Sequence, residues 1–257
     1  MSKRRILIAM LVLIAMLSSV TVAQAAGKLK SIEPKFPFAS NFVNGMAAIA
    51  EEGKVGYIDT TGKLAYPLMF DGGMVPQDYS PEGIVVGVVN DKYGFYDRKG
   101  KLLFKQQFDF ASGFSEGLAF ASLNGETGFI DTKGKWAFKL KDVSYASRFS
   151  EGMAAIHAND KIGYIDNKGK IVIKPQYDAG DSFREGLAPV AINGKVGFVD
   201  KKGKLVIKAT NYGVDSFHEG LAAFVEKEDS KLGFMDKTGK VVIKPQFDNG
   251  IMDGKSF

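Results

Sequence analysis

Hydrophobic and polar positions along this chain fall into one short pattern that returns six times. It is plainest over residues 183–208. There an apolar run (Leu187-Ala188-Pro189-Val190-Ala191-Ile192) meets the polar pair Asn193-Gly194. A second run follows, in which Phe198 alternates with the small and β-branched residues Gly197 and Val199, and then a third, Leu205-Val206-Ile207. Rings alternating with Ile or Val are the mark of a strand buried on both sides. Three strands are therefore predicted, over 187–192, 195–200 and 204–208. The step that fixes the period is glycine, an aromatic, any residue, then aspartate. It stands at Gly56-Tyr57, Gly94-Phe95, Gly128-Phe129, Gly163-Tyr164, Gly197-Phe198 and Gly233-Phe234. Regular self-similarity at a period of about 35 residues is the signature of a repeat architecture.

The turns between the runs can be read directly. Every copy continues as Asp-x-x-Gly-Lys, beginning at Asp59, Asp97, Asp131, Asp166, Asp200 and Asp236. An aspartate opening a turn accepts a hydrogen bond from the amide two residues on. The glycine at the fourth position supplies the left-handed backbone of a bulged hairpin. Upstream, Asn124-Gly125, Asn193-Gly194, Asn90-Asp91 and Asn159-Asp160 suit two-residue hairpin loops. One unit is thus a three-stranded antiparallel meander, and six such units make a single all-β domain over 42–248. The units begin near Phe42, Tyr79, Phe114, Phe149, Phe183 and Phe217. Two places drift: the irregular junction Asp71-Gly72-Gly73-Met74-Val75-Pro76, and unit three, where Trp136-Ala137-Phe138-Lys139 replaces the usual aliphatic run. If any part departs from plain scaffolding, these are the places to look, although surface loops tolerate such changes readily.

Residues 1–25 lie outside the pattern. Lys3, Arg4 and Arg5, the apolar run 6–17 and the small-x-small site Ala23-Gln24-Ala25 read as a secretory signal peptide, too short to prefer a spanning helix. No cysteine follows, so lipid attachment of the lipoprotein kind is not available. The expectation is an extracytoplasmic protein, periplasmic or secreted, with no stable membrane insertion once the leader is removed. Residues 26–41 form a lead-in and 249–257 a tail. The formal net charge is +5, but three of those charges sit in the leader, and the remaining +2 is spread among turns. That is no footprint for nucleic acid. With no cysteine at all, disulfide staples, thiolate metal sites and cysteine nucleophiles are excluded, and the fold must rest on its apolar core.

The succession Phe-Ser-Glu-Gly-Leu-Ala, then Gly-Lys-x-Gly-Phe-Ile-Asp-x-x-Gly-Lys-x-Val-Ile-x-Pro-Gln-Tyr-Asp, resembles the bacterial WG-repeat (WG β-repeat) family over about residues 42–248. The tryptophan of the family name is replaced here by Val55, Tyr93, Thr127, Ile162, Val196 and Leu232, so nothing attributed to it transfers. The resemblance implies an exported or effector-associated array of β-hairpins with no settled common activity. Stacked β-units leave bare apolar ends unless capped. The third run of the sixth unit, Val241-Val242-Ile243, is as apolar as Ile171-Val172-Ile173. That favours closure into a propeller-like toroid, with an open β-solenoid as the alternative.

Candidate chemistry is sparse. The six turn aspartates invite a metal or carboxylate-pair reading, but one per unit in a sterically demanding turn points to turn formation. Glu82, Glu116, Glu151, Glu185 and Glu219, with Asn44 in the first copy, could present an acidic rim to a cationic partner, or accept backbone amides within the Phe-x-Glu-Gly turn. The repeated aromatics read as core, with a row of sugar platforms as the alternative, and Trp136 is open to both. His157 and His218 have no nucleophile or orienting acid placed beside them in sequence, and two scattered histidines make a poor metal site. No residue is therefore singled out as catalytic, cofactor-binding or metal-ligating, and the ligand-binding residues stay open. The sequence reads as a non-enzymatic exported binding or scaffold module for a cell-envelope glycan or protein. A hydrolase-like envelope enzyme using acidic rim residues is the alternative. Oligomeric state is not set by the sequence.

Overall fold

The structure, a computed structural model, describes residues 36–43, 45–73, 83–97, 99–105, 107–228 and 230–248, all within the unit Phe36–Phe257. The predicted leader, Asn44, Tyr79, Glu82 and the tail 249–257 lie outside the described residues. Among these there is no helix, and every strand pairing is antiparallel. Five sheets have four strands and one has three. The first comprises Phe38–Ala39, Met46–Glu51, Lys54–Asp59 and Leu64–Phe70; the second Gly72–Gly73, Val85–Val89 and Lys92–Tyr96; the third Phe110–Ala111, Leu118–Leu123, Glu126–Asp131 and Trp136–Leu140. The fourth comprises Tyr145–Ala146, Met153–Ala158, Lys161–Asp166 and Ile171–Tyr177; the fifth Ala179–Gly180, Leu187–Ile192, Lys195–Asp200 and Leu205–Asn211; the sixth Gly213–Val214, Leu221–Val225, Leu232–Asp236 and Val241–Phe247. In the second sheet, isolated bridges Tyr93 to Phe108 and Tyr96 to Leu102 stand where the other sheets have their outer strand.

The predicted three-stranded unit is therefore corrected to four strands. The added member is a two-residue strand that precedes the Phe-x-Glu-Gly turn and pairs with the first predicted strand, as in Tyr145 with His157 and Ala146 with Ile156. Two residues carry no periodicity, which is why the alternation of side chains does not reveal it. In the fourth and fifth sheets a single residue, Asp178, separates the outer strand of one from the short strand of the other, so the chain steps from sheet to sheet almost without a loop.

Both kinds of predicted turn form. Asn193 and Gly194 both have positive φ, at 50° and 71°, and close Ile192 against Lys195. That is a type I′ hairpin, whose twist matches the strands. In the Asp-x-x-Gly turn, the Gly203 amide donates to the Asp200 carbonyl at 2.9 Å with φ +80°.

The glycine of the aromatic step has a separate cause. The outer strand changes register between Val196 and Phe198, and its bulge crosses directly above Gly197. A β-carbon there would lie 2.4 Å from the Ile207 carbonyl oxygen and 2.6 Å from the Ala209 nitrogen. Gly56, Gly128, Gly163 and Gly233 face the same approach. Pro67, Pro175 and Pro245 lie at the corresponding bulges, where a missing N–H is tolerated. The outer strand ends each sheet's order, and its exposed apolar pairs, Ile171-Val172, Leu205-Val206 and Val241-Val242, are flanked by lysines. Lysine and proline on an edge discourage pairing with other chains.

Core lies between successive sheets rather than within one. Tyr164, Ile173 and Tyr177 of the fourth sheet share a cluster with Phe183, Ala188 and Val190 of the fifth segment. The aromatics of four Gly-aromatic steps pack on the phenylalanine of the next Phe-x-Glu-Gly turn. Centroid distances are 4.8 Å for Phe95 and Phe114, 4.7 Å for Phe129 and Phe149, 5.0 Å for Tyr164 and Phe183, and 4.7 Å for Phe198 and Phe217. Such pairs add about 0.5–1.5 kcal/mol beyond area burial.

The described residues form six antiparallel sheets that follow one another in chain order, the repeat β-architecture expected from the sequence. No sheet contains strands of both the first and sixth units. Phe42 is 44% exposed, whereas its counterpart Phe183 is fully buried. Val241 and Val242 are exposed just as Ile171-Val172 and Leu205-Val206 are in the internal units.

Gly197→Ala is expected to destabilise the fold by about 1–3 kcal/mol, the usual cost of overpacking. A lowered urea midpoint with unchanged slope checks this, and an unchanged midpoint would refute the close approach.

Candidate functional site: a cleft between the third and fourth sheets

Each recurring carboxylate is anchored by the fold. In the Asp-x-x-Gly-Lys turns, Oδ1 of Asp200 accepts from the amides of Lys202 and Lys204, both at 2.9 Å. Asp59, Asp97, Asp131, Asp166 and Asp236 make the same pair of bonds. The predicted turn role stands, with a second amide the sequence did not suggest.

The glutamates do something else. Glu116, Glu151, Glu185 and Glu219 have φ between 50° and 54°, each followed by a glycine of positive φ, so Glu-Gly is itself a type I′ turn. A left-handed glutamate costs roughly 1–2 kcal/mol. Charge-assisted hydrogen bonds offset this. Glu116 accepts from the Gly152 amide at 3.0 Å, Glu151 from Gly186 at 3.0 Å and Glu185 from Gly220 at 3.1 Å, each one unit further along. Lys201 and Lys237, also from the following unit, pair with Glu151 at 3.1 Å and Glu185 at 2.8 Å. The expected amide acceptance is found between turns rather than within one. For Glu151 and Glu185 the cation beside the acid is the protein's own lysine. Arg184 lies 3.4 Å from His218, which is exposed, in the same row.

At the opposite end of the sheets a third acid joins neighbouring units. Asp109 Oδ1 pairs with Lys92 at 2.7 Å and its Oδ2 accepts from the Asn124 amide at 2.6 Å. Asp178 does the same with Lys161 and Asn193, and Asp71 with Lys54 and Asn90.

Between the third and fourth sheets this clamp is replaced. Four residues, Lys141-Asp142-Val143-Ser144, link the strands where a single aspartate does so between the fourth and fifth. Glu126 stands where Lys54, Lys92 and Lys161 open the middle strand, and it pairs with Lys139 of its own sheet at 2.7 Å, whose ammonium lies 5.7 Å from the Trp136 ring. Thr127, in the slot held by apolar Ile162, Val196 and Leu232 in the units that follow, donates its hydroxyl to the Val143 carbonyl at 2.9 Å. The result is a cleft of about 800 Å³. Ser122, Glu126, Thr127 and Lys139 of the third sheet, the four-residue link, and Asn159 and Asp160 of the fourth line it. Directly beyond Ser144, the Tyr145 ring is 44% exposed and packs edge-on against His157 at 5.6 Å and Phe110 at 6.1 Å. Trp136, half-buried, packs edge-on against Phe108 as core.

The structure thus brings together Thr127, Lys139, Tyr145 and His157 at one drifted junction. Of these, Tyr145 escaped sequence reading because its strand was unread. Thr127 in an apolar slot was the available signal, since the aspartate is also replaced, by Tyr212, after the fifth sheet's outer strand. Among the described residues, no three His, Asp or Glu side chains are grouped to hold a metal ion.

Known proteins place this geometry. The WG containing repeat family matches residues 27–54, 93–126, 128–161, 162–195, 197–229 and 233–251, more than half of the chain, and the chain belongs to that family. A comparison with curated proteins finds no match. Among solved structures, that of the eukaryotic initiation factor is similar at 15% identity, covering 85% of this chain and 67% of that one with a TM-score of 0.54. Virginiamycin B lyase from Staphylococcus aureus is similar at 16% identity, over 81% of this chain and 83% of that one, with a TM-score of 0.44. Hsv2p of Kluyveromyces lactis is similar at 10% identity, over 75% and 71%, with a TM-score of 0.48. These likenesses concern fold alone.

The clamps set an acid limit. Hydrogen bonds from lysine first, and then from the turn amide, hold Asp71, Asp109 and Asp178 below the ordinary carboxylate value. Burial alone would raise Glu151, but Lys201 and the Gly186 amide bring it below its usual value as well. A depressed folded-state value contributes stability above the unfolded one and loses it as pH falls. The urea midpoint is therefore expected to hold down to about pH 5 and to fall below that. Asp178→Asn should shrink the acid-induced loss, and an identical pH profile in the variant would refute the clamp.

Proposed function

We propose that this WG-repeat protein is an exported, non-enzymatic binding module whose cleft between the third and fourth sheets takes a cell-envelope glycan. The cleft itself carries the reading: it opens at the junction where the repeat gives up both its aspartate clamp and its apolar Thr127 slot. Hydroxyls of Ser122, Thr127 and Ser144, the Asn159 amide and charges of both signs offer a polyhydroxylated ligand donors and acceptors together. Tyr145, the chain neighbour of the lining residue Ser144, is 44% exposed and supplies an aromatic ring with a polar tip. Its volume falls within the usual range for ligand sites, roughly 300–1,000 Å³. Export rests on the basic start, apolar run and small-x-small site of residues 1–25. That the recurring acids are tied into turns and junctions supports binding over hydrolysis.

Calorimetric titration of the mature chain with soluble peptidoglycan fragments and envelope polysaccharides tests this. Saturable binding is expected, weakened by roughly tenfold or more in Tyr145→Ala. Thr127→Ile, which restores the side chain found at residue 162, should fill the cleft and weaken binding without lowering the urea midpoint. Binding unchanged in both variants would overturn the site. Release of new reducing ends would replace the reading with a hydrolase, and capture of an envelope protein without glycan binding would replace the ligand class.

A further inference from the structure

We infer that the outer strands of the fourth, fifth and sixth sheets form a docking surface for a bilayer rich in anionic phospholipid. The small net charge of the chain hides a segregation. Each unit's outer hairpin runs from the turn aspartate into the outer strand, over 59–67, 97–105, 131–139, 166–174, 200–208 and 236–244. Together these segments hold 18 lysine or arginine residues and 6 aspartates, whereas the rest of the chain after residue 25 holds 13 basic and 23 acidic residues. Positive charge is therefore gathered on the outer hairpins and negative charge elsewhere, and a count over the whole chain cancels the two.

The last three outer strands repeat one arrangement, a lysine at either end with two exposed aliphatics and an inward isoleucine between: Lys170 to Lys174, Lys204 to Lys208 and Lys240 to Lys244. The pairs Ile171-Val172, Leu205-Val206 and Val241-Val242 are 38–53% exposed, so they are no part of the core. All six lysines are exposed, and among the described residues none forms an ion pair with an acid, whereas Lys161, Lys201 and Lys237 are each engaged by one. The single acid of each hairpin is held by its own turn amides. Neighbouring edges adjoin. Ile173 lies 3.3 Å from where a β-carbon on Gly203 of the next turn would stand, and Ile207 lies 3.2 Å from the same point on Gly239. The three pairs thus form one row with cations along both sides. Lysines that keep other strands off an edge also lay their stems along apolar surface and raise their ammonium groups to phosphate. A soluble polyanion would use the lysines alone and leave the aliphatics in water. An anionic bilayer uses both, the cations at its headgroups and the branched side chains at the acyl boundary.

Flotation of the mature chain with vesicles tests this, using phosphatidylglycerol mixed with phosphatidylcholine and phosphatidylcholine alone. Binding is expected on the mixed vesicles only, and it should weaken as salt is raised. The triple variant Lys170→Gln, Lys204→Gln, Lys240→Gln removes cations, and the triple variant Val172→Ser, Val206→Ser, Val242→Ser removes apolar contact. Each should weaken binding by roughly tenfold or more. All six positions are exposed, so the circular dichroism spectrum should stay unchanged in both. Equal adsorption to phosphatidylcholine alone, or none to the mixed vesicles, would overturn the inference. Binding lost in the glutamine variant but kept in the serine variant would overturn it as well, in favour of an anionic polymer that reads the lysines alone.

Discussion

The ring of the Gly-aromatic step at Phe95, Phe129, Tyr164 and Phe198 is buried beneath a phenylalanine that the following sheet lays on it. Tyr164 needs Phe183, and Phe198 needs Phe217. A single sheet has too little apolar surface to fold alone, and stability in such arrays is a sum of units and nearest-neighbour contacts. The other recurring features keep that ring pair in register. The glycine beside each ring lets the outer strand cross close above it, and the glutamate of one turn holds the next turn at a fixed distance. The aspartate clamps do the same work at the opposite end. Hydrophobic contact supplies the attraction, and short polar bonds supply the spacing.

Family membership in the WG containing repeats accounts for the scaffold and leaves the chemistry to the departures from it. The first-to-second, second-to-third and fourth-to-fifth junctions are closed by an aspartate clamp, and at the fifth-to-sixth Tyr212 takes the aspartate's place with Lys195 over its ring. The third-to-fourth junction is the described place where the link lengthens, the clamp is absent and a hydroxyl occupies the slot of an aliphatic. A recognition site grafted on a repeat is expected at such a local exception, since identical copies give identical environments.

Much of this was legible in the amino acids. Turn chemistry at Asn193-Gly194 and Asp200 to Gly203 could be read because steric demand at positive φ narrows the choice of residue. The order of strands within a unit followed from those turns. The two-residue strand at Tyr145 was not legible, since it is too short for any alternation. Glu151 was visible as a recurrent acid, but its partner is a backbone amide one unit away, and no sequence spacing encodes that. Apolar residues at Val241-Val242 suggested closure because an uncovered apolar strand looks incomplete. That strand ends its sheet beside Lys240, Lys244 and Pro245, as Ile171–Tyr177 ends the fourth sheet beside Lys170, Lys174 and Pro175, so its apolar pair belongs to the repeat itself.

The glutamate in its left-handed turn gives the array a direction. Glu116, Glu151 and Glu185 each reach forward to a glycine amide of the next module, so these three joints share that bond in the same direction. Insertion or loss of one whole module would leave the flanking joints chemically intact, whereas a partial module would break one. A gene built this way can lengthen or shorten by complete duplications while the coding of each joint stays untouched.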